Sequence, residues 1–508
     1  MFSTVLSATL QGLSVKFVQV EADVSNGLPM FQLVGYLSSE VKEAGERVRS
    51  ALRNSGITLP PKKIVVNLSP ANMRKRGSMF DLPIAVAVIA ALGEVGIKGF
   101  EDTLFVGELS LDGGVKPISG VLPIVLEAKQ RGCRQCVVPM ENQKEGELVE
   151  GIQVIGVESL EEVGNILKGK KIINHAMTKR NFPIKPEQYL DFSDIKGQSL
   201  VKRAVEIAVA GGHNILMIGP PGAGKTAIAK RIPGILPLLT QKESLELTKI
   251  YSILGKLEGD NPLIIERPFR EVHPSVTRTA LLGGGVFPRP GEISLADKGV
   301  LFLDEIAEFP KALLETLRQP LEERVIRIVR EKGEYLFPAE FLLVAAMNPC
   351  PCGNYPDFNR CTCTPTQIRN YLGKLSQPLL DRIDICVEVP KVQYDALIDK
   401  GNEETSERIR NRVINARMVQ RKRYEGCAFQ VNARLPIQQI ETICKLDSQG
   451  IMLMEQAYER FGLTARTYHK VLGVARTIAD LECSEQIQTH HLREALSYRT
   501  MDVKFWRS

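Results

Sequence analysis

The spacing of apolar and polar residues divides the chain into three consecutive parts. Up to about residue 170, short β-branched runs such as residues 63–68 (KIVVNL) and 135–139 (QCVVP) alternate with helical patterns. From about 192 to 392, apolar runs are each followed by a turn and a helical pattern, which is typical of an α/β domain with a parallel sheet. From about 393 onwards the pattern is almost wholly helical. The chain is therefore predicted to be a multidomain α/β protein with a helical carboxyl-terminal part.

Two segments of the first part have strong helical patterns. In residues 41–56, VKEAGERVRSALRNSG, apolar residues recur at helical spacing, and Gly56 provides a stop. The shared apolar face consists of Val41, Ala44, Val48, Ala51 and Leu52. Residues 82–96 are apolar almost all round, which predicts a helix at the centre of its domain. The longest apolar run, residues 82–92, has about half the length that a membrane span requires, so no membrane partner is expected.

Length, charge and cysteine content narrow the class of protein. At 508 residues the chain is too long for one core and should form about three domains. The 65 lysines and arginines against 59 aspartates and glutamates give a net charge of +6, which permits nucleic-acid binding without requiring it. The amino terminus lacks the cationic start and the uninterrupted apolar stretch of a signal peptide. The ten cysteines are therefore expected to be reduced in the cytoplasm, and clustered ones to bind metal.

A nucleotide-binding signature lies in residues 213–232, HNILMIGPPGAGKTAIAKRI, as a strand, a glycine-rich loop and a helix. Its spacing matches the P-loop, whose backbone N–H groups and helix dipole bind the phosphates of ATP. The residues expected to contact the nucleotide are Gly219, Pro220, Pro221, Gly222, Ala223, Gly224, Lys225 and Thr226. The alternative, a glycine turn that only joins a strand to a helix, is disfavoured because both flanking elements have the required pattern.

Acidic residues that complete such a site follow further along the chain. In residues 299–310, GVLFLDEIAEFP, an apolar strand ends in Asp304 and Glu305. Asp304 and Thr226 are predicted to hold Mg²⁺, and Glu305 to polarise the attacking water. Paired acids after a strand are also common as helix N-caps. The P-loop upstream favours the hydrolytic interpretation.

Two more polar residues stand beside apolar strands. Asn348 ends the run FLLVAAMN, where it could reach the γ-phosphate or the attacking water, or could be a turn asparagine. Arg382, in LSQPLLDRIDICVEVP, could act on the nucleotide of a neighbouring subunit in a ring. The alternative for Arg382 is a surface ion pair with Asp381 or Asp384. The candidate catalytic residues are thus Lys225, Glu305, Asn348 and Arg382.

Taken in order, GPPGAGKT, LFLDE, MN and LLDRID resemble the motifs of AAA+ ATPases. The segments RPFREVHPS, GGGVFPRPGEISLADKGVLFLDE and NPCPCG resemble the magnesium-chelatase-like family of YifB and ComM proteins, and this resemblance runs along essentially the whole chain. It implies an AAA+ core at 191–392 with pore insertions, a helical lid at 393–508 and a homo-oligomeric, hexameric ring. DFSDIKGQ (191–198) matches the adenine-side segment. Arg466 matches the sensor arginine of the lid and so joins the candidate catalytic residues; the alternative for Arg466 is a surface residue of an amphipathic helix.

Residues 1–172 resemble the Lon protease fold, an α+β domain, and a polar linker follows at 173–190. NLSPANMRKRGSMFDLPIAVAVIAAL is similar to Lon's serine-bearing segment, and GELSLDGGVKPISGVLPIVLEAKQRGCRQCVVP to its lysine-bearing one. The catalytic positions hold Met79 and Leu122, and a leucine cannot accept a proton. The domain is therefore predicted to be an inactive protease fold, although Ser78 lies one residue from the serine position.

Three basic segments are candidates for contact with DNA. Residues 267–285, RPFREVHPSVTRTALLGGG, lie in an insertion that lines the ring pore in the family's wider clade. Its cations would contact phosphates without reading sequence: Arg267, Arg270, His273 and Arg278. The cluster Arg74–Arg76 suits either a phosphate backbone or a solvated turn. The arginine-rich residues 406–426 are more typical of a solvated helix face.

Four of the ten cysteines stand in NPCPCGNYPDFNRCTCTP, residues 348–365. They form two C-x-C pairs, which suit a closed tetrahedral zinc site although C-x-x-C is the usual spacing. The predicted ligands are Cys350, Cys352, Cys361 and Cys363. The alternatives are a disulfide pair, disfavoured by a reducing compartment, and buried thiols, disfavoured by the polar neighbours GNYPDFNR. A structural Zn²⁺ is therefore expected beside ATP and Mg²⁺.

The predicted function is a ring-forming ATPase that moves DNA strands without sequence preference, resembling the ComM-type branch-migration helicase of recombination and natural transformation. A chelatase motor that remodels a protein partner is the first alternative, but such subunits lack a Lon-like domain and this cysteine block. An ATP-dependent protease or unfoldase is the second, but Lon places its ATPase before its protease and keeps Ser–Lys. Intact Lys225, Asp304 and Glu305 argue against a scaffold that does not hydrolyse ATP.

Overall fold

The computed structural model describes residues 1–95, 100–169, 190–257, 261–330, 333–357, 359–392, 394, 403–427 and 429–506. The predicted linker at 173–190 lies outside the described residues except for Leu190. The chain forms two compact units. The first comprises Met1–Ile184, Gln241–Ile264 and Phe287–Arg289, and the second Lys185–Thr240, Ile265–Val286 and Pro290–Ser508. Two segments inside the predicted core at 191–392 therefore belong, by their contacts, to the first unit, whereas the division into core and lid stays a prediction.

A seven-stranded mixed sheet forms the first unit. From edge to edge its strands are Met30–Val34, Lys63–Ser69, Ser14–Ser25, Phe2–Gln11, Thr103–Phe105, Gln135–Pro139 and Gln153–Val157. The central pair, Phe2–Gln11 and Ser14–Ser25, is an antiparallel hairpin that turns at Gly12, whose φ of 63° costs glycine no strain. The strands predicted at 63–68 and 135–139 are confirmed. A separate two-stranded antiparallel sheet pairs Glu108–Leu109 with Val115–Lys116.

The helices of the first unit follow the sequence patterns closely. They are Ser39–Asn54, Asp81–Leu92, Val121–Gln130, Met140–Gly146, Leu160–Leu167 and Gln241–Ile253. Helix Ser39–Asn54 buries all five residues of the predicted apolar face. Helix Asp81–Leu92 is buried on nearly all sides, as predicted, but it ends earlier because Gly93 takes a left-handed conformation with φ 80°. Helix Gln241–Ile253 packs against Val121–Gln130, which explains why this distant segment belongs to the unit.

The second unit contains a five-stranded, wholly parallel sheet. Across the sheet its strands are Phe269–Val272, Val300–Leu303, Leu342–Met347, Ile215–Ile218 and Ile385–Glu388. The three strands at its centre are buried throughout, as expected of parallel strands covered on both faces. Because all strands run the same way, the residues that follow their carboxyl ends meet at one edge of the sheet. This edge is where open α/β sheets bind ligands.

Helices and one hairpin complete the second unit. Its helices are Ser199–Gly211, Lys225–Ala229, Arg278–Leu282, Glu292–Leu295, Lys311–Glu315, Arg318–Glu323, Pro365–Leu372, Gln377–Leu380, Ser406–Arg423, Ile437–Ile443, Ser448–Phe461, Ala465–Leu481, Thr489–Ser497 and Thr500–Trp506. The hairpin pairs Val325–Arg330 with Gly333–Pro338, and Gly283–Gly284 is a short strand. The helical pattern beyond 393 is confirmed for the described residues. In this described part, no helix combines the length and apolar character that a membrane crossing requires.

Candidate nucleotide-binding site

The P-loop connects strand Ile215–Ile218 of the parallel sheet to helix Lys225–Ala229. Gly222 and Gly224 have φ values of 75° and 89°, which only glycine adopts without strain. Gly219 is required for a different reason, since a Cβ there would lie 2.2 Å from the carbonyl oxygen of Val389. The three glycines thus let the loop curl tightly against the neighbouring strand end.

The ammonium group of Lys225 is enclosed at the end of this loop. Its Nζ donates hydrogen bonds to the carbonyl oxygens of Gly219 at 2.6 Å and Pro220 at 3.0 Å, and to Oδ1 of Asn348 at 3.1 Å. Burial lowers the pKa of Lys225, while the carboxylates of Asp304 and Glu305 act in the opposite direction. Two residues that are far apart in sequence, the P-loop lysine and the strand-end asparagine, therefore meet at the same edge of the sheet.

The second contact at this edge joins Thr226 and Asp304. Oγ1 of Thr226 donates a hydrogen bond to Oδ2 of Asp304 at 2.6 Å. A hydroxyl and a carboxylate oxygen in contact are ligands that Mg²⁺ prefers, and they correspond to the two side chains that hold the metal in P-loop ATPases. These residues fit a magnesium ion.

Glu305 is exposed and has a φ of 49°, a left-handed conformation that costs a non-glycine residue about 1–2 kcal/mol. Its backbone N–H bonds to Oδ1 of Asp304 at 2.9 Å, which holds the turn in this shape. Strained residues of this kind cluster at functional sites. The turn directs the Glu305 carboxylate into solvent immediately beside the candidate magnesium ligand.

Arg382 and Arg466 come together on one carboxylate that the sequence did not single out. Arg382 donates from Nη2 to Glu322, and also to the carbonyl oxygens of Pro378 at 2.6 Å and Arg318 at 3.1 Å. Arg466 donates from Nη2 to the other oxygen of Glu322 at 3.0 Å. The alternative partners considered for Arg382, Asp381 and Asp384, do not hold it. No sequence signal marks Glu322, because its partners lie 60 and 144 positions away.

The helix that carries Arg466 is anchored one turn later by a buried ion pair. Lys470 Nζ lies 2.5 Å from Oδ1 of Asp384, which is 7% exposed and two residues beyond Arg382. Oδ2 of Asp384 also accepts from the backbone N–H of Asn214 at 3.1 Å. Helix Ala465–Leu481 is thereby tied directly to the segment that carries Arg382.

Most of the basic residues proposed for DNA are engaged in the structure. The guanidinium of Arg267 donates to backbone carbonyls of Pro237 at 2.5 Å and Lys298 at 2.6 Å, and Arg270 pairs with Glu292 at 2.7 Å. These two arginines hold segments of the fold together, and their contact with phosphates stays a prediction. Exposed residues Arg278 and His273 remain candidates.

The helix Ser406–Arg423 uses its arginines in the same way. Arg410 and Arg417 donate to the carbonyl oxygens of Gly234 and Val209, both at 2.6 Å. Arg412 pairs with Glu206 at 2.5 Å. These contacts fix the helix to the unit.

The amino-terminal basic cluster is divided by burial. Lys75 is fully buried and donates to the carbonyl oxygen of Pro70, so it offers nothing to a phosphate backbone, and burial lowers its pKa.

Ser78 donates to the carboxylate of Glu108, and Leu122 is fully buried and donates its backbone N–H to Glu145 at 2.8 Å. The described residues therefore give Ser78 an acidic neighbour rather than a lysine.

The four cysteines converge as the sequence predicted. All four Sγ atoms lie within 4.8 Å of one another, with separations of 3.4 Å between Cys350 and Cys352, 3.8 Å between Cys350 and Cys361, and 3.6 Å between Cys352 and Cys361. Four sulfurs at about 2.3 Å from a zinc ion would lie roughly 3.8 Å apart. The thiol set therefore fits a closed tetrathiolate zinc site.

Backbone amides support the same interpretation of the cysteines. The N–H of Cys352 donates to Sγ of Cys363 and the N–H of Tyr355 to Sγ of Cys350, both at 3.4 Å. Such hydrogen bonds orient the ligands of metal sites from outside. A backbone hydrogen bond at Asn354 lowers the pKa of Cys352 to about 5, whereas burial and the neighbouring thiols raise the pKa values of Cys361 and Cys363.

Comparison with known families gives matches along most of the chain. Family models described as "Magnesium chelatase, subunit ChlI", "Subunit ChlI of Mg-chelatase" and "Magnesium chelatase, subunit ChlI C-terminal" match residues 191–397, 20–142 and 403–499, respectively. "Competence protein ComM" of Haemophilus influenzae is 42% identical over 502 residues, covering 98% of this chain and 97% of that protein. "Uncharacterized protein YifB" of Escherichia coli is 41% identical over 493 residues, covering 97% and 96%. "Lon protease 2" of Bacillus subtilis is 32% identical over 126 residues, which are 25% of this chain and 22% of that protein.

Proposed function

Because the chain belongs to the magnesium-chelatase-like AAA+ family of ComM and YifB proteins, we propose that it is a ring-forming ATPase that moves DNA strands. The observation that carries the ATPase part is the pair of contacts at the carboxyl edge of the parallel sheet. Lys225 meets Asn348, and Thr226 meets Asp304, so that four motif residues converge on one site. The name of the ComM relative and the exposed basic hairpin support DNA as the partner.

Each residue has a specific role in this proposal. The P-loop amides and Lys225 bind the β- and γ-phosphates, and Thr226 and Asp304 would hold Mg²⁺, which when bound would supply positive charge against the phosphates. Glu305 orients the attacking water and Asn348 contacts the γ-phosphate. Lys225 now donates to peptide carbonyls, and a phosphate oxygen is the stronger acceptor for its ammonium group.

The glutamate that follows the magnesium ligand gives the first test. Glu305→Gln should bind ATP with unchanged affinity but hydrolyse it at least about a hundredfold more slowly, because an amide cannot polarise the water. The matched control is Glu308→Gln, an acid in the same turn that pairs with Lys374 at 3.6 Å. Equal turnover in Glu305→Gln and in the wild type would refute the assignment of the site.

The DNA part of the proposal concerns the hairpin of Val325–Arg330 and Gly333–Pro338. It follows the strand of Asp304 and precedes the strand of Asn348, the place where the family's wider clade inserts pore loops. Val329 and Leu336 are 67% and 50% exposed, and Arg327 and Arg330 stand on the same strand. A homo-hexameric ring would bring several copies of this hairpin to one strand of DNA.

The first unit resembles a Lon domain without protease chemistry, and we infer that it serves in DNA contact or assembly. A chelatase motor is the second candidate function, favoured by the descriptions of the matching family models. ATPase rates measured with no DNA and with single-stranded, duplex and branched DNA separate the two. Stimulation by branched DNA supports strand movement, whereas an unchanged rate with every DNA supports a motor for a protein partner.

A further inference from the structure

The cysteine knuckle, residues Cys350–Cys363 apart from Phe358, lies directly against the P-loop. Gly353, inside the knuckle, is buried and has a φ of 80°. A Cβ at Gly353 would lie 2.3 Å from Cδ and 2.9 Å from Cγ of Pro221, the third residue of the P-loop. The missing side chain of Gly353 is therefore what allows the knuckle to touch the nucleotide loop.

Both ends of the knuckle are also attached to the candidate nucleotide site. Asn348, two residues before Cys350, accepts the hydrogen bond of Lys225, and the N–H of Gly219 donates to Met347 at 3.2 Å. After the knuckle, helix Pro365–Leu372 carries the buried Tyr371, whose hydroxyl lies close to the backbone of Asn348. A change in the positions of the four sulfurs would therefore displace the P-loop and Asn348.

We propose that the metal-bound knuckle forms a wall of the nucleotide site, so that ATP binding depends on the metal and is lost when the thiolates are oxidised. The inference rests on the proposed ATPase function and adds regulation to it. The zinc ion would hold the four sulfurs at fixed separations and thereby hold Gly353 against Pro221. Metal occupancy then sets nucleotide affinity without any contact between metal and nucleotide.

Oxidation would change the shape of the knuckle by a definite amount. A disulfide requires sulfurs about 2.05 Å apart, so any pair with the observed separations of 3.4–3.8 Å must approach by more than about 1 Å. With hydrogen peroxide as oxidant, two thiolates form one S–S bond and the O–O bond breaks. The two electrons from the thiolates and two protons from solvent convert the peroxide to two molecules of water, and the metal is released because only two thiolates remain.

The first experiment changes the contact between Gly353 and Pro221 and leaves the four zinc ligands in place. Gly353→Ala places a methyl group on Pro221 and should weaken binding of a fluorescent ATP analogue about tenfold or more, with zinc content retained. The matched control is Gly426→Ala, which has the same backbone strain, φ 81°, but no atom within 4 Å of the added Cβ. The double variant Gly353→Ala, Pro221→Ala should recover part of the lost affinity because the overlapping ring is gone. Unchanged affinity in Gly353→Ala overturns the proposal.

The second experiment uses the wild-type chain. Zinc release is followed with a metal-responsive dye, and nucleotide affinity is measured in parallel while peroxide is added. Both should change together, and a thiol reductant with zinc should restore both. Metal-free or oxidised protein that binds the analogue as tightly as the reduced, zinc-loaded protein overturns the proposal. If untreated protein binds no ATP analogue, and Lys225→Ala makes no difference, the proposed ATPase function itself fails, which is a distinct result.

Discussion

The carboxylate of Glu322 lies between two arginines to which the sequence assigned phosphate contacts. Arg382 is 9% exposed and directs its donors to acceptors of its own unit, and Arg466 shares the same glutamate. A phosphate group would have to compete with Glu322 for both cations. At the scale of the residue, the structure thus adds a negative charge that opposes nucleotide contact by these arginines.

This competition predicts the effect of Glu322→Gln. The Glu322 side chain is 51% exposed, and exposed ion pairs are worth up to about 1 kcal/mol, so the KM for ATP should fall by up to about fivefold. The control is Glu323→Gln, whose carboxylate bonds only locally to Gln319 at 2.9 Å among its described contacts. The measurement is steady-state ATPase activity together with the melting temperature. A lower kcat at unchanged KM would mean that Glu322 positions the arginines instead of competing for them.

At the scale of the element, the hairpin of Val325–Arg330 and Gly333–Pro338 is the best-placed candidate for DNA. Its strands pair over six residues each, so Arg327 and Arg330 are presented from a regular frame, and Arg327 pairs with Glu334 on the partner strand. The arginines expected at 267 and 270 are used inside the fold instead. Each segment contributes two arginines, but those of the hairpin are exposed, whereas Arg267 and Arg270 are half-buried.

Replacing Arg327 and Arg330 together by glutamine should weaken DNA-stimulated hydrolysis while basal hydrolysis persists. Phosphate contacts release counterions, so the slope of log K against log salt should decrease by about 1 for each contact removed. Arg460→Gln, at an exposed position in helix Ser448–Phe461, controls for the loss of charge alone. DNA binding measured across a salt series that is identical in the hairpin variant and the wild type would place the contact elsewhere.

At the scale of the whole molecule, the proposal requires a ring in which Arg382 serves the nucleotide of a neighbour. Arg382→Ala and Lys225→Ala should each hydrolyse ATP very slowly, and mixing them should restore activity. In a random one-to-one mixture, about a quarter of the interfaces would combine an intact P-loop with an intact Arg382. The measurement is ATPase rate against mixing ratio. Absence of rescue, or normal hydrolysis by Arg382→Ala alone, would contradict catalysis between subunits.

Local pattern was sufficient for some parts of the fold and not for others. The apolar face of Ser39–Asn54 and the strand of residues 63–69 could be predicted because each has a clear periodicity within one element. The hairpin of Phe2–Gln11 and Ser14–Ser25 was not anticipated: Ser14–Ser25 has the alternation of a half-buried strand, but its pairing with Phe2–Gln11 and its packing on the core are set by tertiary structure. Likewise nothing in residues 241–264 shows that they pack with the first unit.

The sequence by itself determined which reactive groups this protein carries: a P-loop, an adjacent aspartate and glutamate, a strand-end asparagine and four thiols. These signals are local because each function requires particular residue types at short, fixed spacing. Tertiary structure decided which groups meet. It brought Lys225 within hydrogen-bonding distance of Asn348, placed Glu322 between two arginines, and packed Gly353 against Pro221. Such contacts depend on how a parallel sheet gathers its strand ends and on backbone curvature around glycine, and neither leaves a mark in the spacing of residues along the chain.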